Sequence, residues 1–220
     1  MNQIDMRTAA QADVQPLTNK VLRNAYLLLA LMLALSAAVT TWTISAKVGP
    51  MNIWLALGLL IGTPFIAMRM ARTAMGIPAA LAYGAVLGYI FGPIVGIYFA
   101  AGPQIVMNAF VGTAAITLGL SMYALMTRKD FSFLGGFMFV GALVILLAVV
   151  ANIFLQIPMM SLVISSVVVL LSACGILYFT SAAINGGETN YVVIAIGLFA
   201  DIWSMFMSLL RIFGVLGGDD

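Results

Sequence analysis

Seven long apolar stretches divide this chain, and they restrict its fold more than any other feature of the sequence. A helix needs about 20 apolar residues to cross the hydrocarbon core of a bilayer, because each residue advances it by about 1.5 Å. Charged residues, prolines or glycines bound each stretch. The stretches are residues 25–46, 53–68, 77–99, 105–126, 133–155, 162–184 and 191–213. The sequence therefore predicts an all-α membrane protein, a bundle of seven transmembrane helices.

The composition excludes a soluble globular domain. Hydrophobic residues make up 64% of the 220 residues and charged residues only 7%, with a mean hydropathy of +1.16. Soluble domains carry about 25% charged residues, because they cannot stay dispersed in water with an apolar surface. This chain lacks that charge, so we expect membrane lipid to be its solvent.

The polar ends of the chain are predicted to lie outside the membrane domain, which we place at residues 20–214. Residues 1–19 are polar and lack an apolar period, so we predict a flexible tail. Residues 215–220 form a short acidic C-terminal tail. The first apolar stretch is longer than the roughly 7–15 residues of a signal-peptide core, so we expect it to remain as a signal-anchor helix.

The Lys and Arg residues predict the orientation of the bundle. With seven spans and a cytoplasmic N-terminus, seven of the nine basic residues fall on the cytoplasmic side, and the C-terminus is periplasmic. Cytoplasmic loops of membrane proteins carry an excess of Lys and Arg, so this orientation agrees with the general bias. The seven are Arg7, Lys20, Arg23, Arg69, Arg72, Arg128 and Lys129, and the other two are Lys47 and Arg211.

The third stretch carries a glycine ridge, Gly84, Gly88, Gly92 and Gly96, at four-residue steps. Residues four apart lie on one side of a helix, so these glycines form a flank without side chains. In lipid no hydrophobic force drives helices together, and close backbone approach supplies the dispersion energy of association. The ridge predicts a helix-packing groove, and a moving or ligand-lined interface is the functional alternative.

Asp201 lies near the middle of the last stretch and is the only acidic residue at that depth. A charge there costs about 2.5–3.5 kcal/mol on membrane-insertion scales. Helical spacing adds a polar stripe beside it, made of Gly197, Ser204, Ser208 and, about 15 Å further along, Arg211. We interpret Asp201 as a candidate proton or ion sensor. The structural alternative is a protonated Asp that hydrogen-bonds to a neighbouring helix.

Two amides, Asn152 and Gln156, lie one turn apart at the end of the fifth stretch. Buried amides can form hydrogen bonds between helices in lipid, for about 1–2 kcal/mol or less. We predict that these side chains bridge neighbouring helices and that their role is structural.

Several function classes lack the residues that they need. Histidine is absent and Cys174 is the only cysteine, so the chain offers neither an intrachain disulfide nor the usual metal ligands. An intramembrane serine protease would need a His or Lys base inside the bilayer. The pair Gly186 and Gly187 is too short to bind a phosphate as a glycine-rich loop does. The chain also has no long basic segment of the kind that binds nucleic acid. We predict no enzymatic activity, no metal, no cofactor and no nucleic-acid partner.

Five runs of the chain carry a family likeness. They are KVLRN at 20–24, GPIVGIY at 92–98, YALMTRKDFSFLGG at 123–136, ANIFLQ at 151–156 and GGETNY at 186–191. Together they resemble the Bax inhibitor-1 family of membrane proteins, and within it the bacterial YccA-like branch, over about residues 18–218. The resemblance implies a multi-pass protein of the bacterial inner membrane whose last helix is packed at the centre of the bundle.

The resemblance also implies two activities. Some members of the family are similar to pH-sensitive calcium leak channels, gated by paired acidic residues on the sixth and seventh helices. The YccA-like branch is similar to proteins that bind and restrain the membrane-embedded, ATP-dependent FtsH protease. Calcium would matter only for the first activity. The second implies FtsH, its associated proteins and membrane lipid as partners.

Only one of the two family gate acids is present in this chain. Asp201, in the run LFADI, matches the seventh-helix acid, whereas Phe179 stands after the run ILY, where the sixth-helix acid is expected. Two carboxylates at one site compete for protons, and a lone Asp201 facing Phe179 loses that coupling. Ser165 and Ser172 share the flank of Phe179, but hydroxyls are poor substitutes for the carboxylates that usually hold calcium.

The resemblance therefore implies a non-enzymatic modulator of the FtsH membrane protease, acting in membrane-protein quality control. A pH-sensitive calcium or other cation leak channel is the alternative. The missing sixth-helix acid favours the modulator, because a paired-acid gate needs two carboxylates at one site.

Overall fold

The computed structural model describes the backbone of residues 3–217 and the side chains of residues 20–217 apart from 153 and 158. Within that part, the chain folds into seven α-helices and contains no strand. Each helix has a portion long and apolar enough to cross a membrane, which in α1 begins at Lys20. The helices are α1 Gln3–Ser45, α2 Ile53–Met70, α3 Gly76–Ala101, α4 Pro103–Thr127, α5 Leu134–Leu155, α6 Pro158–Asn185 and α7 Tyr191–Leu216. The predicted fold class is confirmed.

The starts of three helices follow from local chemistry. Asn52 precedes α2, and its side-chain oxygen accepts the backbone N–H of Trp54 at 3.0 Å. Asn190 precedes α7 and accepts the backbone N–H of Val192 in the same way, at 2.9 Å. Such caps satisfy backbone donors that have no partner within the first turn of a helix. Pro103 begins α4, at a position where its missing N–H is not needed.

The two predicted tails fall largely outside the described side chains. The backbone of α1 is helical from Gln3, whereas the sequence predicts a flexible tail over residues 1–19. The side chains of that segment lie outside the described part, so its flexibility stays a prediction. The predicted acidic tail, residues 215–220, begins within the last turn of α7, and residues 218–220 lie outside the described chain.

Helix α7 occupies the centre of the bundle. It packs against α1, α2, α3, α4 and α6, and more than half of its most apolar portion is buried. Ile194, Leu198, Phe199 and Met205 of α7 are completely buried. The central last helix that the family resemblance implied is therefore confirmed.

Helices α2 and α5 lie at the periphery. Among the described residues, α5 packs against α6 alone, and few residues of either peripheral helix are buried. Phe139, Leu147 and Phe154 of α5 are all strongly exposed. An apolar outer surface is unfavourable in water but suits a helix whose outer face contacts lipid. These two helices therefore contribute much of the lipid-facing surface.

The glycine ridge of α3 packs against α1. A Cβ atom added at Gly84 would lie 3.1 Å from the carbonyl oxygen of Met32. A Cβ atom added at Gly88 would lie 2.5 Å from the carbonyl oxygen of Ser36, and the hydroxyl of Thr40 donates to the carbonyl of Gly88 at 3.2 Å. The other two ridge glycines, Gly92 and Gly96, face Thr43 and Ile44 of α1. The absence of side chains on this flank allows the two backbones to approach closely.

Candidate functional site

Asp201 of α7 packs against α6 at a glycine. A Cβ atom at Gly175 would overlap the carboxyl group of Asp201. The carboxyl group therefore occupies the space that a side chain at residue 175 would take. The Oδ2 atom of Asp201 is buried and has no hydrogen-bond partner among the described atoms. Tyr83 of α3 and Cys174 of α6 lie near the same carboxyl group. The structure thus places this acid at a close contact between α6 and α7.

Phe179 packs against α7 one turn away from Asp201. Its ring lies over Gly197, where an added Cβ atom would overlap the ring atoms. Because α6 and α7 run antiparallel, this contact and the contact of Asp201 with Gly175 form a matched pair, each with a glycine on one side. The predicted pairing of Asp201 with Phe179 thus corresponds to two neighbouring contacts on one α6–α7 interface, a helical turn apart. The residue directly against the carboxyl group is Gly175, which no sequence pattern marks.

The described part of the spans holds a single acid, Asp201. The other acids among residues 20–217, Asp130 and Glu188, lie in connections between helices. No cluster of three potential metal-ligating side chains occurs in the described part of the chain. Ser172 is buried, and the hydroxyl of Ser165 donates to a backbone carbonyl one turn earlier in α6, at 2.8 Å. Calcium is usually held by several oxygen ligands that include carboxylates, whereas this region offers one carboxyl group.

A cavity of about 310 Å³ lies between α2, α3, α6 and α7. Ser204, Ser208 and Arg211 line it, so three members of the predicted polar stripe share one space. Asp201 lies outside this lining, although its neighbour Ala200 forms part of the wall. The stripe therefore divides, because the carboxyl group turns toward α6 while the remaining polar groups face the cavity. The aromatic part of the wall consists of Tyr83, Phe91, Tyr98 and Trp203.

The two amides predicted to bridge helices lie at the end of α5. The side-chain oxygen of Asn152 accepts the backbone N–H of Ile157 at 3.1 Å, which closes the α5–α6 connection. Gln156 caps α5 with a left-handed backbone φ of 50°, and its side chain is exposed. The described bond of Asn152 therefore links the end of α5 to the start of α6 in their connection, and a bridge between packed helix faces stays a prediction. Ile157 directly precedes α6, and its backbone N–H lies outside both helices, so the side-chain oxygen of Asn152 supplies the acceptor that it lacks.

Three connections between helices meet at one end of the bundle, which we call the basic end. They are residues 71–75, 128–133 and 186–190. Arg72 forms an ion pair with Glu188, with Nη2 and Oε2 3.3 Å apart. The other carboxylate oxygen of Glu188 accepts the backbone N–H of Asn190 at 2.9 Å. The side-chain amide of Asn190 donates to the carbonyl of Ala71 at 2.9 Å, so the first and third connections are tied together.

The second connection of the basic end is tied to α6. The hydroxyl of Ser181 donates to the carbonyl of Lys129 at 3.0 Å and accepts the backbone N–H of Phe131 at 3.0 Å. Asn185 donates its side-chain amide to the same carbonyl at 3.2 Å. Neither set of bonds follows from the residue spacing of a single helix, since each joins residues far apart in the sequence. A signal for two of the three connections was present, because residues 128–133 and 186–190 lie within runs that carry the family likeness.

Comparison with known proteins identifies the family. A sequence profile of the family described as "Inhibitor of apoptosis-promoting Bax1" matches residues 18–218. The chain belongs to the Bax inhibitor-1 family. The match covers all seven transmembrane spans, so the family likeness extends through the whole bundle and confirms the resemblance seen in the five sequence runs.

Relatives place this Bax inhibitor-1 family protein in the YccA-like branch. The Escherichia coli K12 protein named "Modulator of FtsH protease YccA" is 42% identical over 203 residues, which are 92% of this chain and 93% of the relative. The protein of Escherichia coli O6:H1 named "Inner membrane protein YccA" has the same identity and coverage. A protein of Pseudomonas aeruginosa is 40% identical over 220 residues, which are 99% of this chain and 97% of the relative. Together with the seven apolar helices, these relatives identify a multi-pass membrane protein.

Proposed function

We propose that this Bax inhibitor-1 family protein is a non-enzymatic modulator of an FtsH-type protease in a bacterial inner membrane. The observation that carries the proposal is the 42% identity, over 92% of the chain, to the Escherichia coli protein named as a modulator of that protease. A likeness of this extent covers the helical bundle and its connections, and it does not depend on a single motif.

The distribution of charge supports a cytoplasmic N-terminus and a periplasmic C-terminus. Cytoplasmic segments carry the excess of Lys and Arg in membrane proteins. The described basic residues at the start of the first span and at the basic end are Lys20, Arg23, Arg69, Arg72, Arg128 and Lys129, and those at the opposite end are Lys47 and Arg211. In this orientation the basic end faces the compartment that supplies ATP to an ATP-dependent protease.

The basic end supports the proposal as a contact surface. The bonds of Glu188 and Asn190 join two of its connections, and those of Ser181 fix the third. A surface that is already ordered binds a partner at a lower entropic cost than a mobile one. We propose that the protease contacts the basic end and that the polar segment 1–19 adds to this contact.

Turnover of a membrane-embedded substrate in proteoliposomes tests the proposal. We expect slower ATP-dependent degradation when the full chain is reconstituted with the protease, and co-purification of the two proteins from detergent. Removal of residues 1–19 should restore part of the turnover, whereas Lys47→Gln, a change at the opposite end, should leave the inhibition intact. Equal turnover with and without the chain, combined with no co-purification, would overturn the proposal.

A pH-sensitive cation leak is the second candidate. One observation favours it, the buried Oδ2 atom of Asp201 without a hydrogen-bond partner among the described atoms. Against it stand Phe179 at the position of the sixth-helix acid and Gly175 directly against the carboxyl group. A leak requires calcium flux into proteoliposomes that falls in the Asp201→Asn variant. Flux equal to that of empty liposomes at acidic and at neutral pH would remove this candidate.

A further inference from the structure

The cavity between α2, α3, α6 and α7 has a gradient of polarity along the bundle. Its wall extends along α7 from Ala200 to Arg211, a distance of about 16 Å at 1.5 Å per residue. Arg211 is the only charged residue in the lining, and it lies at one extreme of this wall. Because α7 ends at Leu216, Arg211 is within its last two turns, where long basic side chains reach the membrane interface.

The deeper part of the cavity is lined mainly by apolar and aromatic side chains, including Tyr83, and is accessible from the lipid-facing side. Phe91 and Trp203 form part of its wall, with their ring centroids 6.0 Å apart. Leu60 of α2 and Ile94 of α3 also line the cavity, and both are partly exposed on the outer surface of the bundle. A hydrocarbon chain could therefore enter between these two helices without passing through water.

We propose that this cavity binds an anionic membrane phospholipid, with the phosphate at Arg211 and one acyl chain along the apolar wall. The guanidinium group matches phosphate oxygens with two parallel hydrogen bonds, and its charge complements theirs. A cavity of about 310 Å³ whose wall combines apolar and aromatic side chains with several polar groups has the size of a small-molecule site. This inference is independent of any contact with a protease.

The polar end of the cavity is held in place by packing between α3 and α7. The ring of Tyr98 lies against Gly214, where an added Cβ atom would overlap it. Tyr98 and Ser208 line the cavity together with Arg211, so two hydroxyl groups accompany the guanidinium. Among residues 20–217, Arg211 makes no ion pair, which leaves its charge available to a ligand.

Quenching of Trp203 fluorescence by brominated lipids tests the proposal. Trp203 is 9% exposed, whereas Trp42 and Trp54 are 57% and 79% exposed, so Trp42→Phe and Trp54→Phe leave one buried reporter in the cavity wall. The full chain carrying these changes is reconstituted in phosphatidylcholine bilayers that contain a rising fraction of phosphatidylglycerol brominated on its acyl chains. We expect saturable quenching at a low fraction of this lipid, and little quenching by brominated phosphatidylcholine.

Two charge variants separate a specific site from general lipid contact. Arg211→Gln should shift the half-saturating fraction of brominated phosphatidylglycerol upward by roughly fivefold, the effect of one basic group on an anionic lipid. Lys47→Gln removes a charge from the same end of the bundle, outside the cavity, and should leave the curve unchanged. Ala200→Leu should lower maximal quenching, because its side chain fills the deep part of the cavity.

Three results would overturn the proposal. The first is equal quenching by the two brominated lipids, and the second is an Arg211→Gln curve that coincides with that of the parent. The third is quenching by brominated phosphatidylglycerol that appears only after removal of residues 218–220. This last result would assign Arg211 to the acidic C-terminal residues of the chain itself.

Discussion

At the scale of single residues, a glycine on one helix provides the space for a larger side chain on the other at two points of the α6–α7 interface. Asp201 lies against Gly175, and one turn along the same interface Phe179 lies against Gly197. A glycine opposite a larger side chain lets two helices approach without overlap. This pairing explains how the side chain of Asp201 fits between α6 and α7 in mid-span.

The pairing predicts that Gly175→Ala destabilises the protein by about 1–3 kcal/mol, the usual cost of adding atoms to a packed interior. The added methyl group would overlap the carboxyl group of Asp201. Gly119→Ala is the matched control, because it makes the same change in α4 with no atom within 4 Å of the added Cβ. Thermal unfolding in detergent measures both variants. Equal melting temperatures would contradict the pairing, and adding Asp201→Ala to Gly175→Ala should recover part of the loss.

At the scale of helices, association depends on how closely two backbones can approach. The α1–α3 contact follows the glycine ridge, and Thr40 adds a hydrogen bond to the carbonyl of Gly88. We expect Gly88→Ala to lower stability by about 1–3 kcal/mol, because its Cβ would lie 2.5 Å from a backbone oxygen that cannot easily move. Gly62→Ala in α2, with nothing within 4 Å, is the control. Resistance to limited proteolysis and the melting temperature report the difference, and equal behaviour of the two variants would refute it.

A second prediction at this scale concerns the cap of α7. Asn190 caps α7 and also donates to the carbonyl of Ala71, whereas Asn52 has a matching cap at α2 without such a described cross-link. Loss of a cap costs about 1 kcal/mol, and loss of a hydrogen bond within the protein about another 1 kcal/mol. Asn190→Ala should therefore lower stability about twice as much as Asn52→Ala. Equal losses in chemical unfolding would show that the bond to Ala71 adds nothing.

At the scale of the whole molecule, the charge distribution predicts a single orientation. Cys174→Ala removes the only cysteine, after which Lys47→Cys and Arg128→Cys each introduce one exposed thiol. Both parent residues have a left-handed φ of 51°, so the two sites are matched in backbone conformation as well as exposure. A membrane-impermeant maleimide should label Lys47→Cys in intact spheroplasts and Arg128→Cys only after permeabilisation. The reverse pattern would place the N-terminus in the periplasm.

The candidate site was predicted less completely than the fold. Asp201, Ser204, Ser208 and Arg211 follow from the 3.6-residue period of one helix, and the last three share a cavity. The partners of these residues on other helices could not be found in that way. Gly175 lies in an apolar run without any local signal, since a glycine in a membrane helix can face lipid, as the open surroundings of Gly119 illustrate.

The sequence by itself determined the seven spans, the exclusion of a soluble fold and the family. These depend on apolar length and local residue order, because a helix in lipid satisfies its backbone hydrogen bonds within its own segment. Tertiary structure alone decided which residue lies against Asp201, where Asn152 bonds and which helices enclose the cavity. In water, an apolar face marks the side of a helix that turns inward. In lipid, both the inner and the outer faces are apolar, so the fit between small and large side chains of different helices decides their packing.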